Sequence, residues 1–69
     1  FSLAYSNLGS LMSQKGNLIE AEKFTEKAIK YNPKFELAFV NLGSIKIDLD
    51  KLHEAEELFL SAIEINQNY

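Results

Sequence analysis

Residues 4–10, Ala4-Tyr5-Ser6-Asn7-Leu8-Gly9-Ser10, return 34 positions later as residues 38–44, Ala38-Phe39-Val40-Asn41-Leu42-Gly43-Ser44. The register extends in both directions without a gap. Leu18 falls on Leu52, Glu20-Ala21-Glu22 on Glu54-Ala55-Glu56, Ala28-Ile29 on Ala62-Ile63, and Asn32 on Asn66. A fixed period of this length marks a repeat architecture, in which each unit is one supersecondary element that buries its apolar face against a neighbour. The expected division is residues 1–34 and 35–69, two units within one structural domain and a fragment of a longer array.

Within a unit the apolar period is helical. Leu3, Leu8, Leu11 and Met12 approximate one helix face, and Leu18, Ala21, Phe24, Thr25, Ala28 and Ile29 form a second. Between them Gly16 supplies the left-handed residue that ends a helix. Asn17 is placed to cap the next helix, with Glu20 as its capping-box partner. The second unit repeats the pattern with Leu37, Leu42 and Ile45, then Leu52, Ala55, Leu58, Phe59, Ala62 and Ile63. There Asp50 stands in for the glycine, and Asp tolerates left-handed geometry better than most residues. Asn32-Pro33 separates the units, because proline cannot continue a helix. Four helices are expected near 2–14, 18–31, 35–48 and 52–65, an all-α chain of two antiparallel helix-turn-helix hairpins. Gly9 and Gly43 lie inside helices at matching positions, where glycine costs about 1 kcal/mol relative to alanine. Having it twice implies that a neighbouring helix comes too close for a side chain.

These residues resemble the tetratricopeptide repeat (TPR). Tyr5, Leu8, Gly9, Ala21, Ala28 and Pro33 match its pattern in the first unit, and Phe39, Leu42, Gly43, Ala55, Phe59 and Ala62 in the second. The departures are Met12 and Lys46 at the usual tyrosine, Thr25 at the later aromatic with Phe24 beside it, and Gln67 in place of proline. The resemblance implies a right-handed superhelix of hairpins. Its first helices would line a concave groove for peptides or extended protein segments. By position, the groove candidates are Ser2, Ser6, Asn7, Ser10, Ser13 and Gln14 in the first unit and Glu36, Val40, Asn41, Ser44, Ile47 and Asp48 in the second. Asn7 and Asn41 stand out, since a side-chain amide offers the donor and acceptor that an extended backbone needs. The Ala-x-x-Asn-Leu-Gly pattern is similar to the asparagine ladder in the TPR region of O-linked N-acetylglucosamine transferases. The alternative is that these asparagines bond across the junction between units or are simply solvated. The resemblance to TPRs that clamp a carboxylate is poorer: that clamp needs a lysine or arginine on the first helices and an asparagine just after Leu-Gly, and the corresponding places hold Ser6 and Ser10.

Composition narrows the remaining classes. No apolar run approaches the roughly 20 residues of a membrane span, so no membrane partner is expected. Cysteine is absent, which excludes disulfides and thiolate metal sites. There is no arginine and no basic stripe, which argues against nucleic acid. The single histidine, His53, has Glu57 one turn on, too few ligands for a dedicated zinc site. No nucleophile-base pair and no phosphate loop is visible, so neither a cofactor nor catalysis is expected. The net charge of −3 divides unevenly: residues 1–34 hold five lysines and three glutamates, and residues 35–69 hold two lysines and seven acids. That asymmetry reads either as two solvated helix faces or as a bias toward end-to-end stacking. With Leu60, Ile63 and Ile65 on an uncovered last helix, the alternative to a binding groove is a structural spacer or a self-assembling unit, joined end to end or by helix exchange, with no ligand of its own. Phe1 and Tyr69 occupy the place of Phe35 in neighbouring units, and the absence of a starting methionine suggests an excised or processed chain.

Overall fold

The computed structural model describes residues 1–67. It contains four helices: α1 (Ser2–Gln14), α2 (Leu18–Tyr31), α3 (Glu36–Asp48) and α4 (Leu52–Asn66). The expected boundaries hold to within one residue. α3 starts one residue late because the turn after Asn32 is closed by Phe35 N–H donating to the Asn32 carbonyl at 3.1 Å, which leaves Phe35 extended. Tyr69 lies outside the described residues. No helix among them is long and apolar enough to cross a membrane.

Both hairpins turn by the same device. After α1, Gly16 takes φ +83°. Its N–H donates to Ser13, and the Asn17 N–H reaches back to Met12 at 2.9 Å. After α3, Asp50 takes φ +63°, its N–H donates to Ile47, and the Lys51 N–H reaches Lys46 at 2.8 Å. These paired bonds satisfy the last carbonyls of each helix, the Schellman arrangement. Asn17 does not cap α2 as the sequence suggests. Its backbone (φ −85°, ψ 71°) is not in the usual capping conformation, its side chain makes no cap bond, and its amide turns back toward Met12 Sδ at 3.9 Å. Glu20, freed from a capping box, lies 3.8 Å from Lys23 instead.

α1 packs on α2 and α3 on α4, while α3 also lies against α2 and α1. The core is built mainly from small residues: Ala21, Ala28, Ala38, Ala55 and Ala62 are buried with Leu42 and Ile45. The two helical glycines show why. A Cβ on Gly43 would stand 2.8 Å from the Phe59 ring, and one on Gly9 would overlap the Thr25 hydroxyl and sit 3.1 Å from the Ala21 carbonyl. Thr25 and Phe59 are therefore equivalent fillers against equivalent glycines. Thr25 is fully buried, and its hydroxyl donates to the Ala21 carbonyl at 2.8 Å. The aromatic displaced to position 24 packs elsewhere: Tyr5 stacks with Phe24 at 6.4 Å and Tyr31 at 5.6 Å, and the Lys27 ammonium lies 5.4 Å from the Tyr5 ring centre.

Candidate functional site

α1 and α3 run side by side because each is the first helix of its hairpin, and a shallow recess of about 80 Å³ opens between them. Ser10 and Ser13 line it from α1, and Asn41, Ser44 and Ile45 from α3. The wall is thus three hydroxyls, one amide and one edge of the core. Helical spacing produces this grouping, since residues 41, 44 and 45 share one face of α3 and residues 10 and 13 one face of α1.

Asn41 is the fixed point of the recess. Its amide nitrogen donates to Ser6 Oγ at 2.9 Å across the junction between the hairpins. Ser6 is fully buried, so its end of the bond is shielded from water and the bond holds the asparagine rotamer. Among the described residues, the Asn41 carbonyl oxygen has no hydrogen-bond partner. An anchored amide with one free acceptor and one free proton is ready to meet a backbone amide group.

The sequence-derived candidates separate into three groups. Ser10, Ser13, Asn41 and Ser44 come together in the recess. Asn7, Gln14, Val40 and Asp48 are exposed on α1 and α3 without lining it. Ser6 lies beneath the surface, because α3 covers it, and its hydroxyl accepts the bond from Asn41. The two asparagines that look identical in the repeat therefore differ: Asn41 bonds across the junction, while Asn7 is exposed.

A second polar cluster seals the junction from the other side. Lys46 is buried, and its ammonium bonds the Glu22 carboxylate of α2 and the Glu54 carboxylate of α4 at 3.0 Å. Lys51 stands 3.8 Å from Glu22. Burial works to depress the Lys46 ammonium, but the bonds from Glu22 and Glu54 outweigh it and hold the group above its ordinary range. Glu54 is held below its ordinary range, chiefly by the Lys46 bond. The clue in the sequence was a lysine following Leu42 and Ile45 on an apolar face, a place where only a paired charge is tolerated. His53 is exposed at the start of α4, with its ring nitrogens 4.0 Å from Glu56 and 3.8 Å from Glu57.

Two family models, both described as tetratricopeptide repeat, match residues 2–35 and 37–69. The chain belongs to the tetratricopeptide repeat family. TPR units of this kind generally mediate protein–protein interaction and are typically non-catalytic. The matched segments correspond to the two hairpins, so the stacking of α1 and α3 described above is the contact between consecutive TPR units. No curated protein matches the chain.

Proposed function

We propose that the TPR pair is a binding module, not an enzyme, and that its first helices hold an extended segment of a partner protein in a concave groove as part of a larger scaffold. The observation that carries this is the Asn41 amide, fixed by buried Ser6 at the centre of a recess whose other polar groups are hydroxyls. An extended chain presents a carbonyl and an N–H at alternating positions, and Asn41 offers the complement of both. Ser10, Ser13 and Ser44 can rotate their hydroxyls to suit either group. Asn7, Gln14 and Asp48 extend the groove outward along α1 and α3, and Asn7 serves as the second rung where a preceding unit or a longer ligand reaches it. The likeness of the Asn-Leu-Gly pattern to O-linked N-acetylglucosamine transferases supports the same backbone-directed mode.

The test is a peptide array of unstructured 12- to 15-residue segments screened against the 69-residue chain, followed by titration of the best binder. Asn41→Ala weakens that binder about 3- to 10-fold, the worth of one or two hydrogen bonds. Methylating the peptide backbone nitrogen opposite Asn41 produces a similar loss, and doing both adds little. Binding that ignores both changes refutes the groove.

A further inference from the structure

Beyond α4 the chain presents an apolar hollow of about 310 Å³ lined by Ile47, Leu52, Ala55, Glu56, Phe59 and Leu60. The 34-residue period maps this face onto Ser13, Leu18, Ala21, Glu22, Thr25 and Glu26 of the first unit, and there α3 covers it. Coverage is visible in the paired carboxylates: the Glu22 side chain is 15% exposed and its counterpart Glu56 71%. The opposite end shows the complementary half. Leu8 and Leu11 are 39% and 44% exposed, whereas their counterparts Leu42 and Ile45 are 4% and 2%. The junction inside the molecule is thus a template for what each end accepts.

A second copy of this chain supplies the apolar half of that template and misses the polar half. Stacked in register, its Met12 would take the place of Lys46 opposite Glu56, and its Asn17 the place of Lys51. Both cations that bond Glu22 would be gone. Its Asn7 would take the place of Asn41, but opposite Val40 in place of Ser6, so the amide would meet a hydrocarbon where the internal junction has a hydroxyl. A carboxylate and an amide would both lose water without gaining a partner, which works against association.

TPR hairpins stack in tandem; we infer that the hairpin this α3–α4 face accepts is one with a lysine or arginine opposite Glu56 and an apolar residue opposite Val40. The requirement is local to Glu56, whose counterpart Glu22 is held by Lys46 and Lys51 at the internal junction. This selection stands apart from groove binding, because Asn41→Ala leaves the face untouched.

The experiment appends a copy of residues 36–69 after Tyr69 of the full chain and follows thermal unfolding. The added unit carries its own lysine opposite Glu56 and raises the midpoint. Changing that lysine to methionine lowers the midpoint by about 4–8 °C, the usual response of a small domain to losing one such interaction. With Glu56→Gln already present, the same change has little further effect, whereas Glu56→Gln in the unextended chain is silent. Changing the added unit's asparagine, opposite Val40, to valine raises the midpoint. The inference is overturned if the lysine and Glu56 changes are simply additive, or if the added unit leaves the midpoint where it was. Sedimentation supplies the second arm: the unextended chain stays monomeric, and a concentration-dependent dimer broken by both Leu11→Glu and Leu60→Glu overturns selection against a second copy.

Discussion

Gly9 and Gly43 occupy the same place in the repeat but are guarded differently. Alanine at Gly43 meets the Phe59 ring, while alanine at Gly9 meets both the Thr25 hydroxyl and the Ala21 backbone carbonyl, which has no rotamer to escape into. Overpacking costs about 1–3 kcal/mol, against about 1 kcal/mol of helix propensity gained. Chemical denaturation should therefore show both variants destabilised, Gly9→Ala the more so; a stabilised Gly9→Ala would contradict the close approach of α1 and α2. Asp50 tests the turn from the other direction. It holds φ +63° where the first unit uses Gly16 at +83°, and the left-handed conformation costs a non-glycine residue about 1–2 kcal/mol. Asp50→Gly should raise stability by roughly 0.5–1 kcal/mol once glycine's larger unfolded-state entropy is subtracted. Unfolding in urea checks both variants, with an unchanged or lower midpoint for Asp50→Gly counting against the strain.

At the scale of helices, the Lys46 cluster ties α2, α3 and α4 together. Replacing Lys46 with methionine, the residue at the matching place in α1, should cost about 1–3 kcal/mol, the worth of hydrogen bonds to a charged group. Most of this comes from the shielded Glu22 partner, since Glu54 is half exposed and screened by water. The pH dependence follows from the two shifts. The depressed Glu54 contributes in full above the ordinary carboxylate value of 4.5 and loses its contribution as pH falls through its own lower value. The raised Lys46 contributes in full below the ordinary 10.5 and loses its contribution as pH climbs through its own higher value. Thermal midpoints should be flat through neutrality and fall at both extremes, and Lys46→Met should reduce both falls. The helices, turns and unit boundary were legible in the sequence because they depend on local period, proline and left-handed positions. The cap at Asn17, the bond from Asn41 to Ser6 and the Lys46 cluster were not, because each depends on how two units meet. One hidden pointer was the pair of identical glutamates at 22 and 56, of which only Glu22 faces lysines.

As a whole the molecule is a flat slab of 34 × 28 × 15 Å, thin because two hairpins form only one layer of paired helices. Little of it is far from solvent, and large apolar residues remain exposed at both ends. Small proteins of this length bury only about 60% of their unfolded surface, which leaves modest stability. Covering the α3–α4 face is therefore expected to stabilise the chain as well as extend its groove. Of the candidate recess, position along α1 and α3 was enough to group Ser10, Ser13, Asn41 and Ser44, while the burial of Ser6 required knowing that α3 lies on it. The central claim is that α1 and α3 hold an extended backbone between them. The most direct measurement is nuclear magnetic resonance of the isotope-labelled chain during titration with the best array peptide, followed through backbone amides and the Asn41 side-chain amide. The account predicts the largest shifts at Ser10, Ser13, Asn41 and Ser44, with the Asn41 side-chain protons moving at the same peptide concentrations as the backbone. Shifts gathered on the outward acids of α4, around Glu56, Glu57 and Glu64, with the recess unmoved, would contradict it.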